Sequence, residues 1–193
     1  MKKLLFIFAL IATFGGLGAT AQDTRTDNHT VTVTIPEVAL LDLESSGSKN
    51  FTLAYVAPTE AGNPITSPTP NNSLWLNYSS IVANTGETSR QVTVQITSGT
   101  MPAGVILRVF AFPPTPSLSG GQIALVGFPL PMGIPTTPFP ILSNIGSGYT
   151  GNGVGAGHML SYTLDFPLGP STYGDLKHDN STTVTVTYTL TDV

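Results

Sequence analysis

Trp75 is the single tryptophan of the chain and stands in Leu74-Trp75-Leu76-Asn77-Tyr78. Side chains alternate along an extended strand, so Trp75 and Asn77 share one face while Leu74, Leu76 and Tyr78 share the other. If the leucines face a core, an outward indole beside an amide makes a sugar-stacking platform: the ring covers the apolar face of a pyranose and the amide meets its hydroxyls. In the opposite register Trp75 is a core residue, the commoner fate of a large aromatic in a sandwich. Trp75 and Asn77 are therefore the candidate ligand-binding residues.

Other chemistry is thinly represented. Gly146-Ser147-Gly148-Tyr149-Thr150-Gly151 matches the dinucleotide fingerprint in letters, but the fingerprint needs a helix N-terminus to receive the pyrophosphate. Gly153, Gly155 and Gly157 follow, and glycine at that density does not sustain a helix. A flexible glycine loop is expected instead. His29, His158 and His178 are the only histidines, and none pairs at the spacing of a zinc-binding helix. Glu37, Asp42, Glu44 and Asp165 flank strand-like runs, and nothing in their spacing singles out a general acid and base. Asp175, Asp179 and Asn180 could offer oxygens to calcium, yet their spacing departs from the EF-hand, and turns favour Asp and Asn for backbone reasons. Threonine-rich runs could order ice only in several ranks, and a wetted sheet face accounts for two. The expectation is a protein without catalytic residues, metal or cofactor, and not an enzyme.

The chain has 193 residues, of which charged residues are only 9%, and no cysteine. That rules out disulfide frameworks, thiolate metal sites and thiol nucleophiles. Lys2 and Lys3 precede an apolar run from Leu4 to Leu17, and Ala19-Thr20-Ala21 fits a small-residue cleavage pattern. Residues 1–21 read as a cleaved signal peptide, too short in its apolar part for a permanent span. The remaining 22–193 suit one domain. Without Lys2 and Lys3, five basic residues face 11 acidic ones, a formal charge of −6. The five are scattered, so neither nucleic acid nor an anionic membrane surface is an expected partner. The expected location is secreted, periplasmic or at the cell surface, with no transmembrane anchor after cleavage.

Strand signals position these residues. Thr30 to Ile35 alternates threonine with Val31, Val33 and Ile35, and Pro36 ends the run. Further strands are expected over 38–43, 51–56, 74–78, 91–96, 105–112, 122–128, 159–166 and 183–191. No apolar stripe at helical spacing competes with them in the mature chain. All 16 prolines and 17 of the 20 glycines follow residue 21, as many short strands and loops require. Residues 112–140 carry eight prolines among apolar side chains and read as an irregular covering segment, or alternatively as an apolar docking patch. The expected fold class is all-β, a single domain folded as an antiparallel β-sandwich or barrel.

The opening Thr-Val-Thr-Val-Thr-Ile at 30–35, the closing Val-Thr-Val-Thr-Tyr-Thr-Leu at 184–190 and the glycine-rich run before Leu160-Ser161-Tyr162-Thr163-Leu164 resemble bacterial exported immunoglobulin-like sandwiches of the pilin and spore coat U type. Those families commonly contain cysteines, which this chain lacks. The resemblance implies a structural or adhesive subunit whose partners are other copies of itself or other envelope proteins. In such assembly one chain's extended segment completes another's sheet. Residues 28–35 could be such a donor. Only about six residues precede them after cleavage, so pairing within their own chain is expected. The alternative function is a carbohydrate-binding module that meets glycans through exposed aromatics.

Overall fold

The computed structural model describes residues 25–126, 131–166 and 170–193. The expected signal peptide, residues 1–21, lies outside them. Residues 1–34 and 35–193 form separate units. In the first, residues 25–34 carry no strand and every side chain is exposed.

The second unit is all-β, two antiparallel sheets around one core. Its strands are β1 (Val38–Ser45), β2 (Asn71–Ile81), β3 (Arg90–Ser98), β4 (Ile106–Ala111), β5 (Gly120–Gly121), β6 (Leu125–Val126), β7 (Met132–Gly133), β8 (Phe139–Ile145), β9 (Gly148–Tyr149), β10 (His158–Asp165) and β11 (Thr185–Asp192). The larger sheet runs β5-β9-β2-β10-β4-β7, with β1 also pairing β2. The smaller runs β11-β3-β8-β6. Period-two alternation dictates which side chains meet. Leu74, Leu76 and Tyr78 of β2, Leu107 and Val109 of β4, and Leu160, Tyr162 and Leu164 of β10 are buried from the larger sheet. Val92, Val94 and Ile96 of β3, with Ile141, Leu142 and Ile145 of β8, are buried from the smaller. The Tyr162 and Tyr188 hydroxyls meet at 2.6 Å and join β10 to β11 across the core.

Several expected strands differ. Residues 30–35 form none, contrary to the expectation of pairing within the chain. Residues 51–56 are extended, with Phe51, Leu53 and Tyr55 turned to the core, but make only the bridge Val56–Thr66. Their side chains hold them, since Phe51 packs edge-on against Tyr162 at 5.1 Å and the Tyr55 hydroxyl donates to the Asp165 carbonyl. Of 122–128 only β6 is a strand, Gln122 exchanges backbone hydrogen bonds with Gly146 and Ser147, and positions 127 and 128 fall outside the described residues. The segment expected to be irregular, 112–140, contributes β5, β6, β7 and the start of β8.

Arg90 continues the inward row of Val92, Val94 and Ile96, so a guanidinium enters the core and is only 2% exposed. It donates from Nε to Asp192 at 2.6 Å, from one terminal nitrogen to Glu37, and from the other to the Val38 carbonyl, the Ser80 hydroxyl and the Ile81 carbonyl. One side chain of β3 thereby ties β11 to β1 and β2. Replacing Arg90 with Met leaves the partly buried Val38 and Ile81 carbonyls and the buried Ser80 hydroxyl without this donor. We expect this to cost about 3 kcal/mol of unfolding free energy in urea titrations. Glu37→Gln, at a carboxylate largely in water, costs about 1 kcal/mol or less.

Candidate functional site

The core faces of Leu74 and Leu76 send Trp75 outward, where it is half-buried. Cross-strand register aligns it with Glu44 of β1 and Met159 of β10. Phe112 donates its backbone N–H to the Met159 carbonyl at 2.8 Å, which continues the row, and its ring meets Phe110 edge-on at 4.8 Å. Trp75 therefore stands in an outward row that continues through Met159 to Phe112, not in the core, the commoner place for a large aromatic.

Asn77 lies on the same face of β2, yet it is buried. The loop between β9 and β10 folds over it: its Nδ2 donates to the Gly153 carbonyl at 3.0 Å. Gly157 (φ 68) passes so close that a Cβ there would collide with Asn77 Oδ1 and the Leu76 carbonyl. Nδ2 is spent on loop anchoring and Oδ1 is buried without a hydrogen-bond partner, so the amide is not offered beside the indole. Thr150 completes the attachment, its N–H donating to the Tyr78 carbonyl and its hydroxyl accepting the Tyr78 N–H at 2.9 Å. The run 146–151, which matched the dinucleotide letters, holds strand β9 and leads into this turn. The geometry a pyrophosphate needs is missing there.

His158 opens β10 with its ring inside the core, stacked on Tyr78 at a centroid distance of 5.9 Å. Its Nδ1 lies 2.9 Å from the Phe112 carbonyl, which can only accept, so Nδ1 carries the proton. Nε2 is buried without a hydrogen-bond partner. Burial lowers the pKa from 6.5 to about 4, against the opposing pull of the carbonyl. Burial also raises Tyr78 to about 12, although its hydroxyl accepts the Ala124 N–H.

Three of the four carboxylates that flank strand-like runs in the sequence meet cations. Asp42 meets Lys49 at 3.3 Å, Asp165 meets Arg108 at 2.9 Å, and Glu37 meets Arg90. Glu44 stands opposite Trp75. Among the described residues, Glu37, Glu87 and Asp192 bring carboxylate oxygens within 4.8 Å of one another. Two of them bind Arg90, which supplies the counter-charge. In the 174–180 loop, Lys177 directs its ammonium to the Gly174 carbonyl at 3.2 Å. Sequence reasoning missed Arg90, although its parity with Val92 was the available signal.

A second outward row crosses the larger sheet farther along β2: Leu40 of β1, Ser79 of β2, Tyr149 of β9 and Gly120 of β5. It borders an open cleft of about 410 Å³. No helix among the described residues is long and apolar enough to cross a membrane. No protein-family model, curated protein or solved structure matches the chain.

His158 makes stability depend on pH. Its folded pKa lies below its unfolded one, so the unfolded chain takes up a proton that the folded chain refuses. Unfolding free energy should therefore fall by about 3 kcal/mol as pH drops from about 6.5 to about 4, with no contribution to the slope above that window. Urea titrations across this range should give a flatter profile for His158→Gln.

Proposed function

We propose that the protein is an exported, non-enzymatic, immunoglobulin-like β-sandwich with a structural or interaction role at the cell envelope or surface. Residues 1–21 act as its export signal in this reading. It joins another copy, or another envelope protein, by adding residues 28–35 as a strand to the partner's sheet. The observation that carries the reading is the state of this segment. Val31, Val33 and Ile35 are 70%, 80% and 74% exposed, and no ladder among the described residues pairs them.

Burying a branched aliphatic side chain is worth about 1.5–3 kcal/mol. An extended segment with apolar side chains on one face and threonines on the other has the pattern of a half-buried strand. Its unpaired backbone groups give affinity, and its alternate side chains fill pockets in the acceptor. Pro36, which has no N–H, separates the segment from β1, and the Glu37–Arg90 ion pair fixes the chain immediately after it.

Sedimentation velocity of the mature protein over a concentration series tests the self-assembling form. The wild type should associate, and Val31→Asp with Val33→Asp should be monomeric with an unchanged thermal melt, because the substituted side chains make no buried contact. Assembly that survives both substitutions overturns this role for 28–35, and a wild type monomeric throughout overturns self-assembly.

A further inference from the structure

We infer that the cleft beside Tyr149 is a binding site for a neutral pyranose unit of a glycan. This goes beyond the proposed role and does not depend on strand addition. Tyr149 is 55% exposed, and its ring is seated on Gly120: a Cβ at that glycine would lie 2.9 Å from Tyr149 Cε1 and 3.0 Å from Cζ. Any side chain at 120 would displace the ring. The phenol thus lies close against the Gly120 backbone while the residue keeps more than half its surface in water. A ring fixed in this way loses little rotamer freedom when a ligand stacks on it.

The rest of the lining is mostly apolar, and the hydroxyls of Ser79 and Ser147 are its accessible polar side-chain groups. Ser79 is the cross-strand neighbour of Tyr149 and belongs to the same outward row. Ser147 accepts the Val82 N–H at 3.1 Å, which leaves its own hydroxyl hydrogen for a second partner. Val38 and Ile81 form an apolar wall, and glycine backbone at 120, 121 and 148 makes up most of the remainder. The space, about 410 Å³, falls in the range of small-molecule sites.

Charge selects the occupant. No lining side chain is ionisable apart from the Tyr149 phenol, so a phosphate, sulfate or carboxylate would enter without a cation to meet it. An aliphatic occupant would offer no partner to the Ser79 hydroxyl or to the Ser147 hydroxyl hydrogen. A neutral pyranose suits a mostly apolar lining with a few hydroxyls, because its C–H face stacks on an aromatic ring and its equatorial hydroxyls form a hydrogen-bonding rim.

The test is amide NMR of the mature protein titrated separately with cellopentaose, laminaripentaose, mannopentaose and xylopentaose, with tri-galacturonate as the anionic control. At least one neutral probe should shift the amides of Gly120, Gly121 and Gly148 saturably. Tyr149→Ala should weaken that binding about tenfold, the loss of one stacked ring. Gly120→Val, which displaces the ring without removing it, should weaken it comparably, whereas Trp75→Ala should leave it unchanged. Circular dichroism should report the same sheet content for all three variants. The inference is overturned if no neutral probe shifts these amides, if only the galacturonate does, or if the shifts centre on Trp75 and vanish in Trp75→Ala. Concentration-dependent protection of the same amides without sugar, lost in Val31→Asp with Val33→Asp, would assign the cleft to a second copy and overturn it equally.

Discussion

Arg90 carries a permanent positive charge into the inward row of β3, beside Val92, where water does not reach. A guanidinium in such surroundings is tolerable only when its charge is balanced and its N–H groups are satisfied. Here the partners come from three other strands: Glu37 and Val38 at the start of β1, Ser80 and Ile81 at the end of β2, and Asp192 at the end of β11. The carboxylates reach the charge from the solvent side, 68% and 43% exposed, so their own desolvation is modest. The larger sheet cannot slide over the smaller one without abandoning this set of bonds. The clamp also fixes residue 37, immediately after Pro36, and hence the place where the unpaired segment ends.

The two sheets share a core but present different chemistry outward. In the smaller sheet, β11 and β3 place Thr187 and Thr97 side by side with hydroxyls 2.7 Å apart, and Gln91 and Gln95 continue that face. Such residues satisfy a wetted sheet without further explanation. The larger sheet turns out Trp75, Met159 and Phe112 in one row and Leu40 and Tyr149 in another. Between them, Asn77 is covered by the 151–157 loop. The glycines of that loop serve close packing: at Gly157 the positive φ and the proximity of Leu76 and Asn77 leave no room for a side chain. A run that in letters could hold a nucleotide is used to hold a loop.

The long alternating runs were legible residue by residue. The inward valines of β3 and the leucines of β10 follow from period two alone, and the strands over 90–98, 106–111 and 158–165 stand close to where the pattern puts them. Strand β8 was hidden by Pro138 and Pro140. It tolerates Pro140 because the pairing with β3 is irregular there, with register shifts between Arg90 and Thr93, and a bulge relieves the demand for a regular donor. Asn144, at φ 57, takes up the remaining irregularity. For Trp75 the sequence offered two faces without a reason to choose. For Asn77 it gave no sign that a loop more than seventy residues away would close over the amide.

What the sequence settled by itself was periodicity and composition: an all-β chain without thiols, with little charge and with apolar side chains at every second position of its strands. These are local properties, set by the alternation of an extended backbone and by what proline and glycine forbid or allow. Tertiary structure decided which alternating segments find a partner. Residues 184–190 and 30–35 have almost the same pattern, yet the first is bonded along β3 while the second stands in water. Pairing is a matter of which distant edge is free and how the sheets are tied, and that information resides in contacts between residues far apart in the chain, not in either segment alone.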